Sequence, residues 1–260
     1  METKYTSSFY EEGIFHVYNR TNNKEPLFRT FQNRLYFLQL YARYVQPFAD
    51  TFCWCLLPNH FHFLIRVKRE QQIKDYLLAL ATEKQKSFEL KFLAGDLSME
   101  LLLEQEWKRF FTAYAMAFNK EFNRRGNLFH RPFKRLEVEK ESYFTHAVVY
   151  IHANAMKHKL CKDVASYQWS SWHTMMSDQP TLLRRQELLD WFGGRDHFIK
   201  HHHEQAEEQQ RRAQVFLVDQ HGQAGQPHDD DRAEVTCPGQ VDAGESRPGQ
   251  REHVLLLDEV

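Results

Sequence analysis

Residues 51–67 constrain the fold more than any other part of this chain. Thr51–Leu57 (TFCWCLL) and His60–Val67 (HFHFLIRV) are rich in aromatic and branched side chains, with only Pro58 and Asn59 between them. Two such runs joined by a Pro-Asn turn predict a hairpin. Around it the periodicity alternates. Gly13–Asn19 (GIFHVYN) reads as a strand. Apolar residues at 31, 35, 38, 42 and 45 then recur in steps of 4, 3, 4 and 3, one stripe of an amphipathic helix. Residues 71–93 and 99–124 read as helices, the second ended by Gly126. Leu128–Val138 reads as a strand in which Pro132 marks an edge or a bulge. Glu141–Lys157 is helical, and a short helix is expected at 181–192. The order β-α-β-β-α-β plus a helix predicts an α+β, ferredoxin-like split βαβ fold, with two helices on one face of an antiparallel sheet. That fold by itself implies no function.

Composition divides the chain near residue 200. The first 200 residues carry 29 basic and 22 acidic side chains, a net of +7, and the last 60 carry 5 and 13, a net of −8. The whole-chain value of −1 therefore conceals two different bodies. Residues 1–200 are expected to be one aromatic-rich globular domain. Residues 201–260 are dominated by Gln, Gly, Pro and acids, with no aromatic after Phe216. They are expected to form an acidic, disordered tail, because so little apolar surface cannot offset the entropy of ordering. No uncharged apolar run is long enough to span a membrane. The polar N-terminus (METKYTSSFYEEG) has no apolar signal core. Four Cys in 260 residues make no disulfide framework. A cytoplasmic, nucleoid-associated location is the expectation.

Two constellations can carry chemistry. In a strand, residues i and i+2 share a face, so His60 and His62 stand side by side with Phe61 and Phe63 opposite. Two imidazoles can offer two nitrogens to one metal ion and leave it short of ligands. They can also be an accident in a chain with 15 His. On the helix at 141–157, Phe144, Ala147, Val148, Ile151 and Ala155 form a core-facing stripe. His146, Tyr150, Asn154 and Lys157 form a separate polar stripe, roughly 80–140° away. Tyr150 and Asn154 thus point the same way, one turn apart. A tyrosine hydroxyl can act as a nucleophile and an Asn oxygen can bind Mg²⁺ or Mn²⁺. An interfacial tyrosine beside a solvated Asn fits the same spacing.

Five ordered segments carry a resemblance to a known family. They are Gly13-Ile-Phe-His-Val-Tyr-Asn-Arg20, Leu57-Pro-Asn-His60-Phe-His62, Arg125-Gly-Asn-Leu-Phe-His-Arg-Pro-Phe133, Tyr150-Ile-His-Ala-Asn154-Ala-Met-Lys-His158 and Tyr167-Gln-Trp-Ser-Ser171. Over roughly residues 5–200 the chain resembles the single-tyrosine HUH transposases, whose name abbreviates His, hydrophobic, His. Its Tyr-Ile-His-x-Asn helix is most similar to the REP-associated tyrosine transposase branch.

The resemblance implies that His60 and His62 are ligands of a divalent cation, Mg²⁺ or Mn²⁺. Asn154 stands where insertion-sequence members have a longer Gln. It further implies that Tyr150 attacks a phosphate of single-stranded or hairpin DNA, leaving a 5′-phosphotyrosine and a free 3′-OH. The bond energy is then kept for rejoining. Arg124, Arg125, Arg131, Lys134 and Arg135, around Phe129 and Phe133, are either a solvated basic face or a surface for phosphates and unpaired bases. With Lys157 they are the expected DNA-binding residues. Insertion-sequence relatives act as dimers with composite sites, so a homodimer is one expectation; the REP-associated branch suggests a monomer.

Rival readings are specific. The His60-Phe-His62-Phe-Leu64-Ile run resembles the histidine-triad nucleotide hydrolases, but Leu64 stands where their nucleophilic His would be. A domesticated DNA-binding protein without catalysis is the alternative of another class; intact His60, His62 and Tyr150 favour the enzyme. Cys53 and Cys55 share a strand face but lack a matching second pair, which favours buried cysteines over zinc. His201–His203 are expected to be solvated. Tyr114 and Tyr143 rival Tyr150 as nucleophile, and the resemblance alone selects Tyr150.

Overall fold

The hairpin at the centre of the sequence becomes the centre of the sheet. In a computed structural model that describes residues 5–204, β2 (Ala49–Leu57) and β3 (His60–Val67) pair antiparallel across the Pro58-Asn59 turn. On its other side β3 pairs with β1 (Ile14–Arg20), and β1 pairs with β4 (Lys134–Glu137). The order β2-β3-β1-β4, antiparallel throughout, is that of the expected split βαβ fold.

Each face of the sheet has its own cover. Phe61 and Phe63 face α1 (Phe31–Tyr44) and, among the helices that follow α2 (Glu70–Ala79) and α3 (Ser87–Leu93), α4 (Met99–Glu121). The rings of Tyr41 and Phe63 stack in parallel at 4.0 Å, and Phe37 lies 5.1 Å from Phe61 and 4.7 Å from Phe110. Helix α1 starts where Thr30 and Asn33 cap each other, side chain to backbone in both directions. The opposite face, which carries His60 and His62, lies under α5 (Glu141–Lys157). A bulge between Thr51 and Cys53 turns Phe52 toward Phe144 of α5 at 4.9 Å.

Several boundaries differ from expectation. The helix expected at 71–93 is two, α2 and α3, because Leu80 is extended and Gln85 caps the carbonyls of Leu77 and Leu80. The strand expected from Leu128 pairs fully only from Lys134. Pro132 has no N–H to give a ladder, and Phe129 makes an isolated bridge to Thr21. Two further helices follow α5: α6 (Trp172–Met176) and α7 (Arg185–Trp191). Residues 195–204 are also helical, so His201–His203 are not a solvated run: His202 is buried against Phe198 and Trp172. The periodicity of that stretch was masked by its three consecutive His. The rest of the expected tail, 205–260, lies outside the described residues. No helix among the described residues is long and apolar enough to cross a membrane.

A buried hydrogen-bonded chain ties this last helix to α5. His202 Nδ1 meets the carbonyl of Phe198 at 2.8 Å, His202 Nε2 meets His152 Nδ1 at 3.0 Å, and His152 Nε2 meets Ser171 Oγ at 2.8 Å. A carbonyl only accepts, so His202 Nδ1 carries a proton, and burial keeps both imidazoles neutral. With neutral rings, His152 Nδ1 donates to His202 Nε2 and Ser171 Oγ donates to His152 Nε2. Burial holds His152 well below the usual histidine range and His202 at about 4. The unfolded chain takes up protons near 6.5 that the folded chain refuses until about 4. Stability is thus full above the unfolded value and is lost as pH falls through that window. Thermal melts should show a falling Tm between these pH values, and His202→Phe should flatten the fall while lowering Tm at neutral pH. An unchanged pH slope in that variant would place the loss elsewhere.

Candidate active site

The β1–β3 register builds the site. Tyr18 pairs with His62 and Arg20 with His60, so the α5-facing side of β1 lines up His16, Tyr18 and Arg20 beside the two histidines. His16 Nε2 lies 2.9 Å from His62 Nδ1. Tyr18 lies against both rings, at 4.9 Å from His16 and 5.5 Å from His62. His60 lies 5.2 Å from His62, and His158, just past the end of α5, lies 4.8 Å from His60.

The protonation of these rings follows from burial. Desolvation is the main cause for all three. It pushes His16 down to about 4 and His60 to about 3, and His62 falls well below the usual range. The charges of His158, Arg20 and Lys157 push His60 further down. Neutral imidazoles keep lone pairs for coordination. His60 Nδ1 lies 2.6 Å from Asn59 Oδ1, which only accepts, so Nδ1 carries the proton and Nε2 the lone pair. His62 Nε2 is buried with no hydrogen-bond partner. An orphaned nitrogen beside a second imidazole suits a divalent cation.

Helix α5 delivers the tyrosine. The ring of Tyr150 lies 5.9 Å from each of His16 and His62, and it remains 40% exposed. The Lys157 ammonium sits 5.6 Å from the same ring. Asn154, one turn on, is 1% exposed rather than solvated, and its amide nitrogen donates to the Tyr150 carbonyl at 2.8 Å. Its oxygen is the atom a hard cation would use. No group of three or more His, Cys, Asp or Glu is arranged to hold a metal among the described residues. Tyr114 is excluded as a nucleophile: it is buried and donates to the Leu27 carbonyl at 2.7 Å. Tyr143 is exposed on α5, beside the Lys140 ammonium. Cys53 and Cys55 are both buried, and burial pushes both thiols up, as inert core cysteines require.

The expected basic cluster does not form one surface. Arg135 pairs with Val17 and so faces the α4 side of the sheet, where its side chain, 6% exposed, bonds Glu100, Glu104 and the Ser7 carbonyl. Arg124 binds Glu25, the Asn119 side chain and the carbonyls of Gly126 and Asn127. Both are engaged with carboxylates and backbone carbonyls of the chain itself. Arg125, Arg131 and Lys157 are exposed, and Lys134 lies over Tyr5 at 4.4 Å. His16, Tyr18 and His158 were not singled out from sequence. The spacing of His16 and Tyr18, two apart in a strand, was the available signal.

Urea denaturation should separate the cations. Arg135→Ala is expected to cost roughly 1–3 kcal/mol, because it strips a buried hydrogen-bonded charge. Arg125→Ala should stay within about 0.5 kcal/mol of the parent.

A solved structure of a REP-associated tyrosine transposase bound to a REP hairpin is similar to this chain, with a TM-score of 0.45 and 15% identity, covering 68% of this chain and 86% of that one. No protein-family model matches the chain, and no curated protein does.

Proposed function

We propose that this chain is a metal-dependent transposase that nicks and rejoins single-stranded or hairpin DNA through Tyr150. The observation that carries the reading is the meeting of Tyr150 with the histidine pair: a solvent-reachable phenol 5.9 Å from His62, whose Nε2 is buried and unpartnered. The resemblance of the five motif segments to the single-tyrosine transposases supports the same assignment.

His60 and His62, with the Asn154 oxygen, would hold Mg²⁺ or Mn²⁺. A bound divalent cation supplies polarisation of the phosphate and offsets the charge that develops on its oxygens. The chain's own groups do the rest. His16 holds the His62 ring through Nδ1, and Asn59 holds the His60 ring in the same way. Tyr150 Oη forms a bond to phosphorus as the bond from phosphorus to the 3′-oxygen breaks. The phenol proton passes to solvent, and the departing 3′-oxygen takes one up. The product is a phosphotyrosine on the 5′ side and a free 3′-OH. Lys157, whose ammonium lies beside the Tyr150 ring, would meet a phosphate oxygen. Attack by that 3′-OH, or another, reverses the step without a nucleotide cofactor.

Incubation with Mn²⁺ and labelled hairpin DNA should give a covalent adduct that survives boiling in detergent. Tyr150→Phe should abolish it. An adduct that persists in Tyr150→Phe and is lost in Tyr143→Phe would reassign the nucleophile. Binding without any adduct would favour the domesticated DNA-binding protein. In a second measurement, His60→Ala should lose cleavage by at least about 100-fold, more than the roughly 10- to 100-fold that losing an outer-shell partner of a metal ligand costs, while keeping most DNA affinity. Equal loss of both would make the histidine pair structural.

A further inference from the structure

The last described helix carries two imidazoles on its outer face that the chemistry above does not use. Residues 195–204 are helical, and Phe198 and His202 fix which way they face. Both are buried: His202 packs on Phe198 at 4.2 Å and bonds His152 of α5 at 3.0 Å. His197 and His201 are likewise four residues apart. They share a stripe about 100° around the axis from that inner face, and both are exposed. The His201 ring rests 5.6 Å from Phe192.

His197 is already oriented. Its Nδ1 lies 3.1 Å from the Gly193 carbonyl, which only accepts, so Nδ1 carries the proton and in the neutral ring Nε2 keeps its lone pair. A backbone carbonyl on the far nitrogen is how metal-binding imidazoles are commonly held. The contact depends on glycine: a Cβ at position 193 would come within 3.0 Å of His197 Nδ1, and φ there is +77°. The charged neighbours are occupied with each other. Lys200 pairs with Glu204 at 3.8 Å, and Arg195 with Asp178 at 2.6 Å.

Imidazole nitrogens suit zinc, copper and nickel better than Mg²⁺. The helical spacing sets the two Cβ atoms roughly 5–6 Å apart, which lets one ion sit about 2.0–2.1 Å from a nitrogen of each ring. No third His, Cys, Asp or Glu is grouped with them among the described residues, so water fills the remaining positions. We propose that His197 and His201 form a metal site of their own, for a transition ion of the zinc class, that clips one turn of the last helix. An ion that binds only the helical form stabilises that form. The clipped helix keeps His202 on His152, and so braces α5 two residues beyond Tyr150. The site shares no residue with the His60–His62 pair and needs no DNA.

The test uses the untagged full chain as His60→Ala, which disables the active-site pair, with Zn²⁺ as the probe and Mg²⁺ as the control. Zn²⁺ should raise Tm by roughly 5–10 °C at about 100 times its Kd. It should also slow amide exchange over residues 195–204, and Mg²⁺ should do neither. His197→Ala and His201→Ala should each weaken Zn²⁺ binding at least about 10-fold and remove both effects. Both positions are exposed, so the fold stands without them. His203→Ala, about 120° around the helix from His197, should bind like its parent. If His203→Ala costs as much as His197→Ala, the run of three His takes up the ion without a defined site and the inference fails. It fails equally if neither His197→Ala nor His201→Ala matters, or if Zn²⁺ binds without raising Tm and slowing exchange. The active-site reading, tested by the DNA adduct, stands or falls separately.

Discussion

The antiparallel ladder between β1 and β3 is the constraint on which the rest of this structure depends. It sets Tyr18 against His62 and Arg20 against His60. A shift of one residue would turn His16 and Tyr18 to the α4 side and bring Val17 and Asn19 beneath α5. The histidine pair would then lose the hydrogen bond that orients His62. Register here is strongly specified. Phe15 and Val17 are buried on one face of β1 and His16 on the other.

The two faces of the sheet divide the labour. On the α1–α4 side, aromatic rings interlock around Phe37, Tyr41, Phe63 and Phe110, and this packing holds the strands rigid. On the α5 side the burial is of polar groups, which is costly unless each is bonded. Most are bonded: His16 with His62, His60 with Asn59, Asn154 with the Tyr150 carbonyl. His62 Nε2 is the exception. The other unpartnered buried nitrogens among the described residues belong to Arg34, Gln46, Trp54 and Trp107, none of which has a lone pair to offer; His62 Nε2 is the one that can serve a cation.

The basic residues show how position overrides composition. Five cations fall within twelve residues of sequence, yet they serve different ends. Arg135 and Arg124 neutralise carboxylates and hold backbone; Arg125 and Arg131 remain open to solvent. What selects between these fates is whether a glutamate from α4, or from the segment after β1, lies within reach.

Much of this was legible in the chain alone, because it rests on local repeats. Period-two alternation put His60 and His62 on one face, and the stripe of Phe144, Val148 and Ile151 put Tyr150 off the core of α5. The order of elements sufficed for the split βαβ arrangement. Three matters were beyond local pattern. His16 and Tyr18 lie more than forty residues from His62, and only strand pairing brings them together. Asn154 occupies a polar stripe that reads as solvated, yet it is buried, because helix burial depends on what packs above it. Arg135 faces away from the active site, since its side follows from pairing with Val17. Sequence determined the faces of single elements through backbone geometry. Tertiary structure decided which faces meet, because register and long-range packing are properties of pairs of segments and are written in neither one alone.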